Sequence, residues 1–396
     1  MLARIEISNY KSIAHTSLLF GIENVIVGPN GAGKSNLLDA INFLRDAAND
    51  GLDHAVTKRH GIISIRRWSK TRPYNIVIKM EFVTGTGTGE YKITIASAGG
   101  EFSVLEEEGS WFGKHPFARA PDEEPQLSSF KRLAKGPVEL SVSNDPFKDV
   151  PGAVMPPSEI ILSQFGPGGF SPYSFFFRQL HEQIASCGAY SIYPNKIREP
   201  QTISNSDVLA DDGTNLASII RQMRVTTFRS NRESLTSAIQ QVIPIVSEIR
   251  IESAGGFFVP VFRVKETADG YAHDLNMSQI SDGTLRMLGM LTAFYQPKAP
   301  RRITLEEPEQ MIHPGLLPIL VDAARDYLDD GKKGRQCFFT THSPNLLDMF
   351  DARNIIGTKF EDGVTKFNSI SSRQLKLVRE RLFTAGELLV AEGILA

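Results

Sequence analysis

The segment Gly28-Pro29-Asn30-Gly31-Ala32-Gly33-Lys34-Ser35 fits G-x-x-x-x-G-K-[ST], a spacing whose chemistry demands a strand, a loop and a helix in that order. The flanks supply that order. Val25-Ile26-Val27 is an apolar run entering the loop, and the stretch from Asn36 to Leu44 is amphipathic at helical spacing. Gly28, Gly31 and Gly33 let backbone N–H groups converge on one point, where the helix N-terminus adds the positive end of its dipole. The chain therefore reads as a nucleotide binder. Lys34 is placed to reach β- and γ-phosphate oxygens and the Ser35 hydroxyl to hold Mg²⁺, with Asn30, Gly31, Gly33 and Asn36 completing the phosphate-loop set.

Such a loop needs a second strand bearing acidic groups, and Ile303-Thr304-Leu305-Glu306-Glu307-Pro308 is an apolar run ending in two carboxylates. Alternation predicts that Glu306 points toward Ser35 and the Mg²⁺ shell, while Glu307 faces the γ-phosphate and polarises the attacking water. Cys337-Phe338-Phe339-Thr340 is another buried-type strand. His342, just past its end, is placed to hydrogen-bond the γ-phosphate or the water, so Lys34, Glu307 and His342 are the catalytic candidates. His313 reads either as a buttress of the turn before Pro314 or as an interface residue.

With 396 residues, 41% of them apolar, the chain has room for a sizeable core and two or three domains. Its two cysteines, Cys187 and Cys337, are far apart, which argues against a disulfide framework or zinc site and for a reducing cytoplasm. The N-terminus MLARIEISNYKSI alternates like a strand rather than running apolar like a signal peptide, and no apolar run approaches membrane-spanning length. A cytoplasmic protein without membrane contact is expected. A net charge of -2 excludes a uniformly cationic coat but not a local patch. No carboxylate lies between Asp53 and Glu81, where Lys58, Arg59, Arg66, Arg67, Lys70, Arg72 and Lys79 interleave with Trp68 and Tyr74. This strand-borne segment, 58–72 above all, reads either as a DNA-backbone contact or as a strand edge protected by charge.

Residues 2–7 alternate and a second strand ends at Val27, so the loop grows from an early strand pair. From about 62 to 145, short strands such as Asn75 to Phe82 and Tyr91 to Ile95 predict an antiparallel sheet beside the main one, with acidic clusters at 106–108 and 122–124. Pro151, Pro156, Pro157, Pro167 and Pro172 mark a boundary or long loop. Helical stripes follow at Phe177, Leu180, Ile184, then Leu216, Ile219, Ile220, Met223, then Leu235, Ile239, Val242, Ile243. Ala254-Gly255-Gly256 predicts a hairpin turn. The expected organisation is an N-terminal half over 1–150, a loop and helical insertion over 151–240 and a C-terminal half over 241–396.

Taken together, Asn9-Tyr10-Lys11-Ser12, the phosphate loop, Ser281-Asp282-Gly283-Thr284-Leu285-Arg286, LEEPEQMIHP at 305–314 and TTHSPNLLD at 340–348 resemble the ATPase heads of the RecF, SMC and OLD-nuclease group of ABC-type ATPases. The resemblance implies an α/β P-loop head with a mostly parallel core sheet, a flanking antiparallel sheet and a helical insertion. It implies ATP and Mg²⁺ as cofactors and an ATP-dependent homodimer, in which Ser281 caps a helix and, with Gly283, aims its N-terminus at the partner's γ-phosphate. It also implies work in DNA repair or anti-phage defence through a separate effector such as a nuclease. Two departures stand out: Glu306 occupies the usual Asp position, which predicts a water-mediated Mg²⁺ contact and slow turnover, and Gln164 is the sole candidate for the Mg²⁺-sensing glutamine, or else an ordinary loop residue. Tyr10 either flanks the adenine or packs in the core. A transporter subunit fits less well, because Ser281 lies 246 residues beyond Ser35 and the tandem glycines of the transporter form are missing. Only 54 residues follow His342, too few for the Toprim domain of an OLD nuclease, with Glu392-Gly393 a lone echo of its opening. An ATP-gated binding module with negligible hydrolysis is the remaining alternative.

Overall fold

Strand β1 (Leu2–Tyr10) buries Leu2, Ile5, Ile7 and Tyr10, and returns through Lys11, whose φ of 45° permits the tight reversal, into the antiparallel β2 (Ile13–Leu19). The phosphate-loop strand β3 (Glu23–Val27) is thus a third strand rather than half of the first pair. It lies parallel to Ile355–Glu361, which in turn pairs antiparallel with Val364–Ser369. The computed structural model describes residues 1–70, 72–114, 124–133, 137–142, 154–167, 174–265, 271–331 and 334–391. Asp122, Pro151, Pro172, Glu392 and Gly393, singled out above, lie outside them.

Contacts divide the chain into two units, one holding Met1–Cys187 and Arg353–Ser371, the other Gly188–Ala352 and Ser372–Gly393. In the first, β4 (Ile76–Thr84), β5 (Gly87–Ala98), β6 (Glu101–Gly113), β7 (Gln126–Leu133) and β8 (Glu139–Val142) extend the β1–β2 pair. The resulting order is β2-β1-β4-β5-β6-β7-β8, antiparallel at every junction. This is the predicted antiparallel sheet. Helix α1 (Lys34–Asp50) follows the phosphate loop and buries Leu37, Leu38, Ile41 and Leu44 at helical spacing, while Phe177, Leu180 and Ile184 are buried from the helix Ser174–Ala185.

In the second unit, Arg302–Glu306 runs parallel to Gln336–Thr341, and both are buried along almost their whole length, as parallel strands require. A smaller antiparallel sheet contains the hairpin Val246–Ala254 to Phe257–Val264; its turn residues Gly255 and Gly256 have φ of 57° and 84°, the positive pair a two-residue turn needs. Leu216, Ile219, Ile220, Met223, Leu235 and Ile239 are buried as the stripes predict, but Val242 and Ile243 are only half-buried where their helix ends. The architecture is the expected α/β head. Cys187 and Cys337 are buried and form no disulfide, and no helix among the described residues is long and apolar enough to cross a membrane.

Candidate active site

The phosphate loop leaves β3 at Val27 and enters α1 at Lys34 through Gly33, whose φ of 99° only glycine adopts without strain. Gly31, at φ 78°, turns the middle of the loop. A Cβ on Gly28 would overlap the carbonyl oxygen of Thr358, and one on Gly33 the side chain of Thr365, so the C-terminal hairpin packs directly behind the loop. Lys34 is nearly buried, its Nζ donating to the carbonyl oxygens of Gly28 (2.8 Å) and Pro29 (3.2 Å), while Asn30, Gly31 and Ser35 are exposed at the loop surface. The Asn36 side chain turns instead to Ser12, donating to its Oγ at 2.6 Å. Tyr10 is wholly buried with its hydroxyl on Asp39 (2.8 Å), which decides for core packing.

Gln164 sits in the short helix Leu162–Phe165, at the end of a loop held by two buried charges. Glu107 on β6 accepts the N–H groups of Ile161 (2.7 Å) and Leu162 (3.0 Å) and the Tyr91 hydroxyl (3.0 Å). Its cross-strand neighbour Arg132 donates to the carbonyl oxygens of Glu159 (2.9 Å) and Pro156 (3.0 Å). Burial pushes the Glu107 carboxyl up to about 7, against the opposing pull of these donors.

The phosphate-loop residues belong to the first unit; Ser281, Gly283, Glu306, Glu307 and His342 belong to the second. There the strand ends at Glu306, and Glu307 has φ 42° with its N–H on the Thr340 carbonyl oxygen (3.0 Å). The strand's alternation therefore stops one residue short, and a left-handed turn, not the pleat, aims the Glu307 side chain. Glu307 and His342 do come together, with Oε1 3.5 Å from Nδ1. Glu309, not singled out from the sequence, completes the cluster: its Oε1 accepts from Thr341 Oγ1 (2.6 Å) and the His342 N–H (3.2 Å) and lies 3.7 Å from His342 Nδ1. Gln310 donates to Glu307 Oε2. As the third acid of LEEPEQ, Glu309 carried a readable signal.

Ser281 caps the helix Asp282–Tyr295, accepting the Thr284 N–H at 3.3 Å. Arg286 on that helix, also unmarked by sequence reasoning, donates to the carbonyl oxygens of Glu307 (3.2 Å), Glu306 (3.5 Å) and Ile192 (3.4 Å). Burial lowers its pKa, opposed by the negative charges of Glu309 and Glu307 and by Tyr193. Gly283 faces the loop after the carboxylates so closely that a Cβ would lie 2.5 Å from the Met311 carbonyl oxygen. Gly283→Ala is accordingly expected to destabilise the protein by about 1–3 kcal/mol through overpacking, read as a lower thermal midpoint; an unchanged midpoint would show that this loop yields freely. His313 accepts the Gly315 N–H at 3.1 Å through Nδ1, the turn-buttress arrangement.

The part of the basic segment that carries most of its charge, 58–70, is not a strand. Residues 58–70 follow the helix Leu52–Thr57 and comprise a one-turn helix Ile62–Ile65 and loops; of the basic residues only Lys79 lies in a strand, β4, and the missing carboxylates arrive from α1, β4 and β5. Arg59 pairs with Asp39 (2.7 Å) and Asp46 (2.9 Å), Lys58 with Asp46 (3.3 Å), and Lys79 with Glu81 (3.2 Å) and Glu90 (3.1 Å). Arg66 donates to Ser97, and Arg67 stacks over Tyr74, while Lys70 and Arg72 are exposed.

Among known proteins, the chain is 31% identical over 124 residues to Structural maintenance of chromosomes protein 1 of Schizosaccharomyces pombe, a match spanning 29% of this chain and 10% of that protein. It is similar in structure to the Smc head domain with an extended coiled coil from Pyrococcus furiosus, solved bound to the C-terminal domain of ScpA, with a TM-score of 0.51, 13% identity and coverage of 96% of this chain and 99% of that one. An SmcHead bound to the C-winged helix domain of ScpA aligns at a TM-score of 0.49, 16% identity and coverage of 95% and 99%. The family model described as "AAA domain, putative AbiEii toxin, Type IV TA system" matches residues 24–348, and the chain belongs to that family.

Proposed function

We propose that this chain is a Mg²⁺-dependent ATPase that dimerises face to face around two nucleotides. The observation that carries the reading is the phosphate loop itself: a buried strand, two left-handed glycines, a lysine held against the loop and a helix that starts there without a side-chain cap. These residues fit a polyphosphate, which needs converging N–H donors and a cation. When bound, Mg²⁺·ATP supplies an electrophilic γ-phosphoryl group and the charge that must be neutralised as it transfers. Lys34 holds the phosphate oxygens; Ser35, Glu306 through water, and Gln164 hold the cation. Glu307 orients the attacking water and accepts its proton, while His342, itself oriented by Glu309, donates to the phosphoryl oxygens. Ser281 and Gly283 present a helix N-terminus to the nucleotide of the second subunit.

The cellular role proposed is bacterial, cytoplasmic and defensive: the family description names a toxin of a type IV toxin–antitoxin system, which suits an ATPase that switches a separate effector such as a nuclease in anti-phage defence or DNA repair. Any DNA contact through 58–72 falls to residues other than Arg59, which is buried against Asp39 and Asp46, with Lys70 and Arg72 exposed. The test is phosphate release from ATP with and without Mg²⁺, together with size-exclusion chromatography with and without nucleotide. Metal-dependent release and an ATP-induced dimer are expected. A chain that binds no nucleotide at all would refute the proposal.

A further inference from the structure

Three segments remote in sequence meet behind Gly33. Asn36 Nδ2 on α1 donates to Ser12 Oγ (2.6 Å), Ser12 Oγ lies 2.5 Å from Thr365 Oγ1, and Thr365 Oγ1 donates to the Ala32 carbonyl oxygen (2.9 Å). The direction of the middle bond follows by counting protons. Thr365 has one hydroxyl hydrogen, already given to Ala32, so Ser12 must be the donor between them. The order is then Asn36 amide to Ser12 hydroxyl to Thr365 hydroxyl to Ala32 carbonyl, a chain in which each bond polarises the next. The Thr365 N–H also donates to the Ser12 carbonyl oxygen (2.9 Å), and Thr365 is almost fully buried, so its hydroxyl is held in one place.

The end of this chain is a peptide group of the phosphate loop. No peptide bond among the described residues is cis, and in a trans peptide the C=O and the following N–H point in opposite directions. Pinning the Ala32 oxygen toward Thr365 therefore points the Gly33 N–H away from the hairpin and strengthens it as a donor. The packing enforces the same geometry, since the space a Cβ would occupy on Gly33 is filled by the Thr365 side chain and approached by Ser12 Oγ at 3.0 Å.

We infer that Thr365, in the C-terminal hairpin, is a positioning residue for nucleotide binding, setting the orientation of the Gly33 N–H through the Ala32 carbonyl. The inference rests on the nucleotide-binding reading above. It is tested in the full chain with Thr365→Val, which keeps shape and removes the hydroxyl, and Thr365→Ser, which keeps the hydroxyl. Isothermal titration with Mg²⁺·ATP should show the Val variant binding about tenfold more weakly, the effect of one lost hydrogen bond, and the Ser variant within about twofold of wild type. In turnover, KM should rise with Val while kcat stays within about twofold, as for lost uniform binding. A lower thermal midpoint with unchanged ATP affinity would overturn the inference in favour of a purely structural threonine. Should the Val variant fail to fold, Ser12→Ala decides: it removes the donor to Thr365, and affinity should fall about threefold, whereas wild-type affinity would count against the chain of donors. Wild-type protein that binds no ATP would remove the underlying reading as well, while tight wild-type binding unaltered in Thr365→Val would remove this inference alone.

Discussion

Replacing Glu307 by glutamine is expected to leave ATP affinity within about twofold of wild type and to reduce phosphate release at least about a hundredfold, the range over which a positioned general base acts. The amide keeps the length and planarity of the carboxylate, and the left-handed backbone at Glu307, fastened to Thr340, places no demand on the side chain's charge. What is lost is the carboxylate that accepts the proton of water, together with the negative neighbour of His342 at 3.5 Å. With nucleotide bound and not consumed, the dimer should persist, and size-exclusion chromatography with ATP should show the larger species accumulating. Undiminished release would show that Glu307 is not the base. Attention would then pass to Glu309, half-buried beside the same histidine.

The second large effect tests whether the nucleotide site is shared between subunits. Ser281→Arg places a bulky cation at the cap of the helix Asp282–Tyr295, and the expected product is a monomer that binds ATP but hydrolyses it poorly. Lys34→Ala should abolish binding, because the loop loses the cation now lodged against Gly28 and Pro29. Neither variant alone should turn over ATP. Mixed, the Ser281→Arg chain contributes an intact phosphate loop and the Lys34→Ala chain an intact Ser281 helix, so one site per mixed dimer is whole. In a two-fold dimer with random pairing, activity should recover to at most about a quarter of wild type. No recovery would mean that the two sites must act together, and full activity of Ser281→Arg alone would end the case for a shared site.

The parts of the site that were legible in the sequence are those whose chemistry is local. The strand, loop and helix around GPNGAGKS, the strand ending at Glu306 and the strand preceding His342 each combine a period with a motif inside a dozen residues, and each forms where expected. What escaped depends on contacts across long stretches of chain. Arg59 reads as part of a free basic surface until α1 brings Asp39 and Asp46 against it. Thr365 and Thr358 carry no pattern linking them to glycines more than three hundred residues earlier. Alternation does not reach Glu307 because a strand's period holds only while the strand lasts, and the strand ends at Glu306. Gln164 illustrates a third case, in which the sequence names the residue but not the buried Glu107–Arg132 pair that holds its loop.

The helix Asp282–Tyr295 is fastened to the end of the carboxylate strand at two points, by Gly283 against the Met311 carbonyl and by Arg286 on the carbonyls of Glu306 and Glu307. One is a steric contact with no room for a methyl group, the other a single guanidinium nitrogen, Nη2, shared between two consecutive peptide carbonyls. A displacement of Ser281 is therefore expected to reach Glu307 through these two contacts. Substitutions along this fastening, and not only among the groups proposed to touch phosphate, are therefore expected to alter the position of the Glu307 carboxylate.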